Sequence, residues 1–75
     1  MLMDYKLSVI VYKENNLFIA KGIEIEIASQ GETIEEALAN LKEAFELWLK
    51  HADQEELKDL KKAKSPIITQ VAVSS

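Results

Sequence analysis

Between Phe18 and Lys50 the hydrophobic pattern changes period once, and that change fixes most of what the chain can fold into. From Phe18-Ile19-Ala20-Lys21 through Ile27-Ala28 the apolar residues alternate, as side chains do along a half-buried strand. Ser29-Gln30-Gly31-Glu32-Thr33 interrupts the alternation. The residues that follow repeat at about 100° per residue. Ile34, Leu38, Leu41, Phe45 and Trp48 fall in one stripe flanked by Ala37, Ala44 and Leu49, which predicts a helix over residues 34–50. Gly31 is expected to supply backbone angles that other residues resist. Thr33 is placed to cap the helix, and Glu36 to complete a Thr-x-x-Glu capping box.

The flanking segments extend this pattern. Residues 5–12 alternate, with Tyr5, Leu7, Val9 and Val11 on one face and Lys6, Ser8, Ile10 and Tyr12 on the other. Lys13-Glu14-Asn15-Asn16 has hairpin length, and asparagine tolerates left-handed angles. Residues 17–21 are expected to return antiparallel. After a bend or bulge at Gly22, Ile23, Ile25 and Ile27 read as one face of a third strand, with Glu24 and Glu26 on the other. Asp53 caps a second, shorter helix over residues 54–63, anchored only by Leu57 and Leu60 and ended by Ser65-Pro66. Ile67, Thr69, Val71 and Val73 predict a last strand. The expected fold is α+β, a two-layer β-β-β-α-(short α)-β domain spanning residues 1–75. A small, antiparallel-rich sheet carries one long helix on one face.

Composition narrows the function. Seventy-five residues make one domain with a modest core, so self-association, as a homodimer or higher homo-oligomer, is expected on stability grounds. With no cysteine, neither a disulfide nor a thiolate–metal site supplements that core. A net charge of −4 and the absence of arginine argue against direct nucleic-acid binding, which depends on neutralising phosphates, and favour a basic protein partner. Met1-Leu2-Met3-Asp4 lacks the basic and apolar regions of a leader, and no segment has the ~20 apolar residues of a membrane span. The expectation is therefore no membrane association and a cytoplasmic location.

Phe18-Ile19-Ala20, the acidic–apolar step Glu24-Ile25, the Ser-Gln-Gly-Glu-Thr run and Glu36-Ala37-Leu38 together resemble the HicB-type antitoxin family. The resemblance covers roughly residues 5–50. Gly22-Ile23 stands where many members carry Cys-Pro, and the chain resembles short members consisting of the inhibitor domain without a DNA-binding domain. It implies an antitoxin of a type II toxin–antitoxin system. The implied partner is a small basic HicA-type toxin, an mRNA-cleaving ribonuclease neutralised by occlusion of its active surface.

No catalytic, cofactor-binding or metal-binding constellation stands out, and a non-enzymatic role is expected. Glu24 and Glu26, two apart on a strand, are compatible with a shared Mg²⁺, but two carboxylates are few for such a site and a solvated face accounts for them. His51 has no marked nucleophile or orienting acid and lies where a helix end favours a cation. Phe45 and Trp48 belong to the apolar stripe, so packing explains them better than base stacking. Lys58, Lys61, Lys62 and Lys64 are interleaved with Glu55, Glu56 and Asp59, the mark of a solvated helix face. For partner binding the candidates are Glu24, Glu26, Glu43, Leu47 and Tyr12, with Leu47 outside the apolar stripe on the face shared by Asn40 and Glu43. The alternative is a stand-alone homo-oligomeric structural or regulatory domain with no toxin. The last strand has an alternative of its own: at a sheet edge, residues 67–73 would be able to pair with a second copy and continue the sheet across a dimer.

Overall fold

The structure, a computed structural model, describes residues 4–74; the leader reading at residues 1–3 lies outside them. Three strands form one antiparallel sheet: β1 (Val9–Glu14), β2 (Leu17–Gly22) and β3 (Ala28–Gly31), in that spatial order. Two helices follow, α1 (Ile34–His51) and α2 (Gln54–Lys62). The α+β architecture, with one long helix on one sheet face, is as the sequence predicts.

The β1–β2 hairpin closes through Asn15 and Asn16, with Glu14 paired to Leu17. Among the described residues Asn15 alone takes a positive φ, 57°, as the first position of a two-residue hairpin turn can require. The register places Val9, Val11, Phe18 and Ala20 on the helix side, and Ile10, Tyr12, Leu17 and Ile19 on the side that no helix covers. Lys13, paired with Phe18, sets its ammonium 5.8 Å from the Phe18 ring centre, so its stem helps close that end of the core.

Two strand boundaries differ from the sequence reading, for one reason. An antiparallel return from β2 to β3 needs residues for the turn, and the alternation Ile23-Ile25-Ile27 left only Gly22 for it. Residues 23–27 are instead spent on the bend, which is tied by Gly22 N–H to the Ile27 carbonyl at 2.8 Å and by Ile27 N–H to the Ile25 carbonyl at 3.0 Å. β3 therefore starts at Ala28. Residues 5–8, expected in the first strand, then face a bend rather than a ladder, so β1 starts at Val9.

The central buried cluster is small: Ala20 from β2 with Ala37 and Leu41 from α1. Leu7, Val9, Val11, Phe18 and Ile27 pack around it. Helix α1 lies mainly over the edge strand β3 and less over the central strand β2. Ile34 and Leu38, expected within the buried stripe, consequently remain exposed on its flanks.

Gly31 is required for a reason other than the one its type suggests. No glycine in the described residues has a positive φ. A Cβ at Gly31 would instead lie 2.6 Å from the Ala37 nitrogen and 2.8 Å from the Glu36 Cβ, so the absent side chain lets the first turn of α1 close onto β3. Thr33 caps that turn, its hydroxyl accepting the Glu36 N–H at 3.0 Å. The expected box is only half made, because Glu36 Oε1 lies 3.4 Å from the Glu32 nitrogen instead of meeting that of Thr33. The complete box is at α2. There Asp53 accepts the Glu56 N–H at 2.8 Å and Glu56 accepts the Asp53 N–H at 3.1 Å.

The predicted last strand is absent. Residues 67–73 form no ladder and are exposed, Ile67 to 90% and Val71 to 87%. Alternation gives a segment the ability to pair, but a strand exists only against a partner, and in this single chain the sheet closes at three.

Candidate interaction surface

The predicted partner-binding residues fall on three separate surfaces. Glu43 and Leu47, one turn apart on α1, stand together on its outer side with Ala44, Glu46 and Lys50. Leu47 is 59% exposed, so it is a large apolar side chain held in water by a rigid helix and bordered by two carboxylates. Tyr12 lies on the uncovered sheet face, opposite Ile19 in the register and beside Ile10. Glu24 and Glu26 lie in the bend after β2, not on a strand face as the alternation suggested.

Glu24 is committed within the chain. Its carboxylate accepts the Ser8 N–H at 2.7 Å, and the Ile23 N–H donates to the Ser8 carbonyl at 2.9 Å. Burial raises the cost of its charge, but the hydrogen bonds from the Ser8 hydroxyl, the Ser8 N–H and its own N–H together outweigh it. They hold the carboxyl below its ordinary value. Glu26 is exposed. Among the described residues no three His, Asp or Glu side chains group closely enough to hold a metal ion. No helix among them is long and apolar enough to cross a membrane.

His51 is exposed at the end of α1, in a shallow depression with Ile27, Ala44, Leu47, Trp48, Ala52 and Glu56. Phe45 and Trp48 stack on each other with ring centres 6.3 Å apart, and both are half-buried. They line opposite flanks of α1, Trp48 toward Ile27 and Phe45 toward Leu7 and Val9. Helix α2 buries Leu60 and sets the Lys61 ammonium 5.8 Å from the Tyr5 ring centre.

Two features escaped the sequence reading. Asn40 Nδ2 donates to the Gln30 carbonyl at 2.8 Å, fastening α1 to β3. A lone asparagine between apolar positions of a helix was the available signal. The second is a groove of about 380 Å³ beside β1, lined by Leu7, Val9, Leu38, Leu41, Phe45 and Leu49 among others. It exists because α1 sits off-centre, a tertiary fact that no local pattern encodes.

This is a small sheet-and-helix domain with an acidic, apolar-tipped helix face. The family model that matches residues 4–65 is DUF7387, a family of unknown function, and the chain belongs to that family. No curated protein and no solved structure matches it.

Proposed function

We propose that this chain is a non-enzymatic antitoxin of the HicB type, which neutralises a small basic HicA-type mRNA-cleaving ribonuclease by covering its active surface. The observation that carries this reading is the junction at residues 29–33. Its Ser-Gln-Gly-Glu-Thr sequence resembles that family, and Gly31 and Thr33 there do the specific work of joining a strand to a capped helix. The chain's net charge of −4 supports a basic partner, because complementary charge speeds encounter. Leu47 supplies the apolar anchor such a contact needs, with Glu43 and Glu46 as its rim. Glu24, engaged with Ser8, contributes to the shape of the domain and not to the contact.

The test is co-expression with the product of an adjacent small basic reading frame, followed by size exclusion and an RNA-cleavage assay. The expected result is a stable complex with cleavage silenced, and weakening of about 10-fold for Leu47→Ala, as for a modest interface anchor. An active ribonuclease that neither binds nor is silenced by this chain would sink the reading.

A further inference from the structure

Residues 67–73 and the free edge of β1 are two unfinished surfaces that fit each other. The tail leaves α2 at Ala63 in extended backbone (φ −62°, ψ 134°), and Pro66 stiffens the departure. It carries Ile67, Thr69, Val71 and Val73 on one side and Ile68, Gln70 and Ala72 on the other. The sheet offers two edges. That of β3 is four residues long, and Asn40 already occupies the Gln30 carbonyl there. That of β1 is six residues long, Val-Ile-Val-Tyr-Lys-Glu, with no proline and no charge in its first four positions to discourage pairing.

The largely apolar groove lies at the start of this same edge, on the helix side, where Leu7 and Val9 face α1. A strand added to β1 would point alternate side chains into that groove, against Leu7, Val9, Leu38 and Phe45. The intervening ones would lie on the outer face with Ile10 and Tyr12. The size of the unfinished surface agrees. A compact monomer of 8.5 kDa exposes about 4,700 Å², whereas this chain exposes 6459 Å². If each chain lost its excess of about 1,800 Å², the pair would bury about 3,600 Å², within the roughly 2,000–5,000 Å² of obligate homodimer interfaces. The radius of gyration, 14.5 Å, likewise exceeds the roughly 11 Å of a compact chain of this length.

We infer that the occupant is a second copy: two chains exchange their 67–73 segments reciprocally, each adding a fourth strand to the β1 edge of the other. The exchange is two-fold symmetric, so it closes at a dimer and leaves no free tail. It is independent of the antitoxin reading, since it requires no other protein.

Light scattering on the full chain at ~0.1 mM, well above the Kd of an interface of this size, tests the inference. The expected mass is twice 8.5 kDa, falling to one copy in Ile67→Asp/Val71→Asp with the helical circular dichroism unchanged. Both positions are solvent-exposed in the single chain, so the substitutions spare its fold. With no native cysteine, Ile10→Cys chains mixed with Ile68→Cys, Gln70→Cys or Ala72→Cys chains should form a mixed disulfide at one or more of the three positions. A monomeric parent chain would overturn the exchange, and this includes a tail folded back on its own β1. So would a dimer that survives both aspartates, or one that gives no mixed disulfide at any tail position.

Discussion

Ser8 and Glu24 hold the start of β1 and the bend after β2 together, the Glu24 carboxylate taking the Ser8 N–H at 2.7 Å across sixteen positions of sequence. The Ser8 carbonyl is meanwhile taken by the Ile23 N–H, so both main-chain groups of Ser8 are satisfied by the same bend. This replaces the ladder that residues 5–8 lack, at the point where the antiparallel register runs out.

A pH dependence follows. Glu24 titrates below its ordinary value of 4.5 in the folded chain, so it stabilises the fold fully above that value and stops doing so as pH falls through the folded value. Glu24→Gln keeps an acceptor but loses the charge, and should cost about 1 kcal/mol at neutral pH. Denaturant titrations should show this gap at about pH 7 and its progressive closure as pH falls below 4.5 and through the lowered folded value, where the wild-type carboxyl takes up its proton. A gap that does not change with pH would mean that the charge contributes nothing.

Gly31→Ala should destabilise by about 1–3 kcal/mol, a cost set by main-chain contacts with the start of α1 that cannot move aside cheaply. Because the φ at Gly31 is not positive, Gly31→Asn, often tolerated in left-handed turns, should do no better than alanine. Thermal unfolding of the two variants decides between close approach and backbone angle as the cause.

The two helix starts should respond differently to loss of their glutamates. Glu56→Ala removes half of a complete capping box and should cost about 0.5–1 kcal/mol. Glu36→Ala removes only a long contact of 3.4 Å to Glu32 and should cost measurably less, while Thr33→Ala costs about 1 kcal/mol. Equal losses for Glu36 and Glu56 in urea titrations would contradict the half-made box at α1.

Leu41→Ala should be the most damaging truncation in α1. It removes the largest side chain of the buried cluster and should cost about 2–4 kcal/mol. That is a large share of the roughly 4–11 kcal/mol expected for a domain of this length. Leu47→Ala, by contrast, should leave the midpoint of unfolding within about 0.5 kcal/mol of wild type, since water already surrounds that side chain. A large loss for Leu47→Ala would remove the case for treating it as an anchor held in reserve for a partner.

The parts of this fold legible in the sequence are those with local causes. The two asparagines mark the hairpin turn, Thr33 and Asp53 mark the helix starts, and the period of α1 sets its length to within one residue. What was not legible depends on what one element meets in another. The isoleucines at 23, 25 and 27 carry strand alternation yet serve as a bend, because β2 needs residues to turn on. Ile34 and Leu38 carry the stripe pattern yet stay exposed, because the helix is seated off-centre. Of the candidate site, the pairing of Glu43 with Leu47 was readable as helical spacing. The withdrawal of Glu24 into a contact with Ser8 was not, because their separation in sequence hides it.

Two of the three residues at the centre of the domain are alanines, Ala20 on the sheet and Ala37 on the helix. The thickness of the domain there is set by a pair of methyl groups, the smallest spacers the genetic code offers short of glycine. Helix and sheet therefore have little side-chain length between them at that point on which to tilt or slide. Such a joint gives no graded response to a bulkier residue: the layers stay shut, or the helix lifts away as a unit.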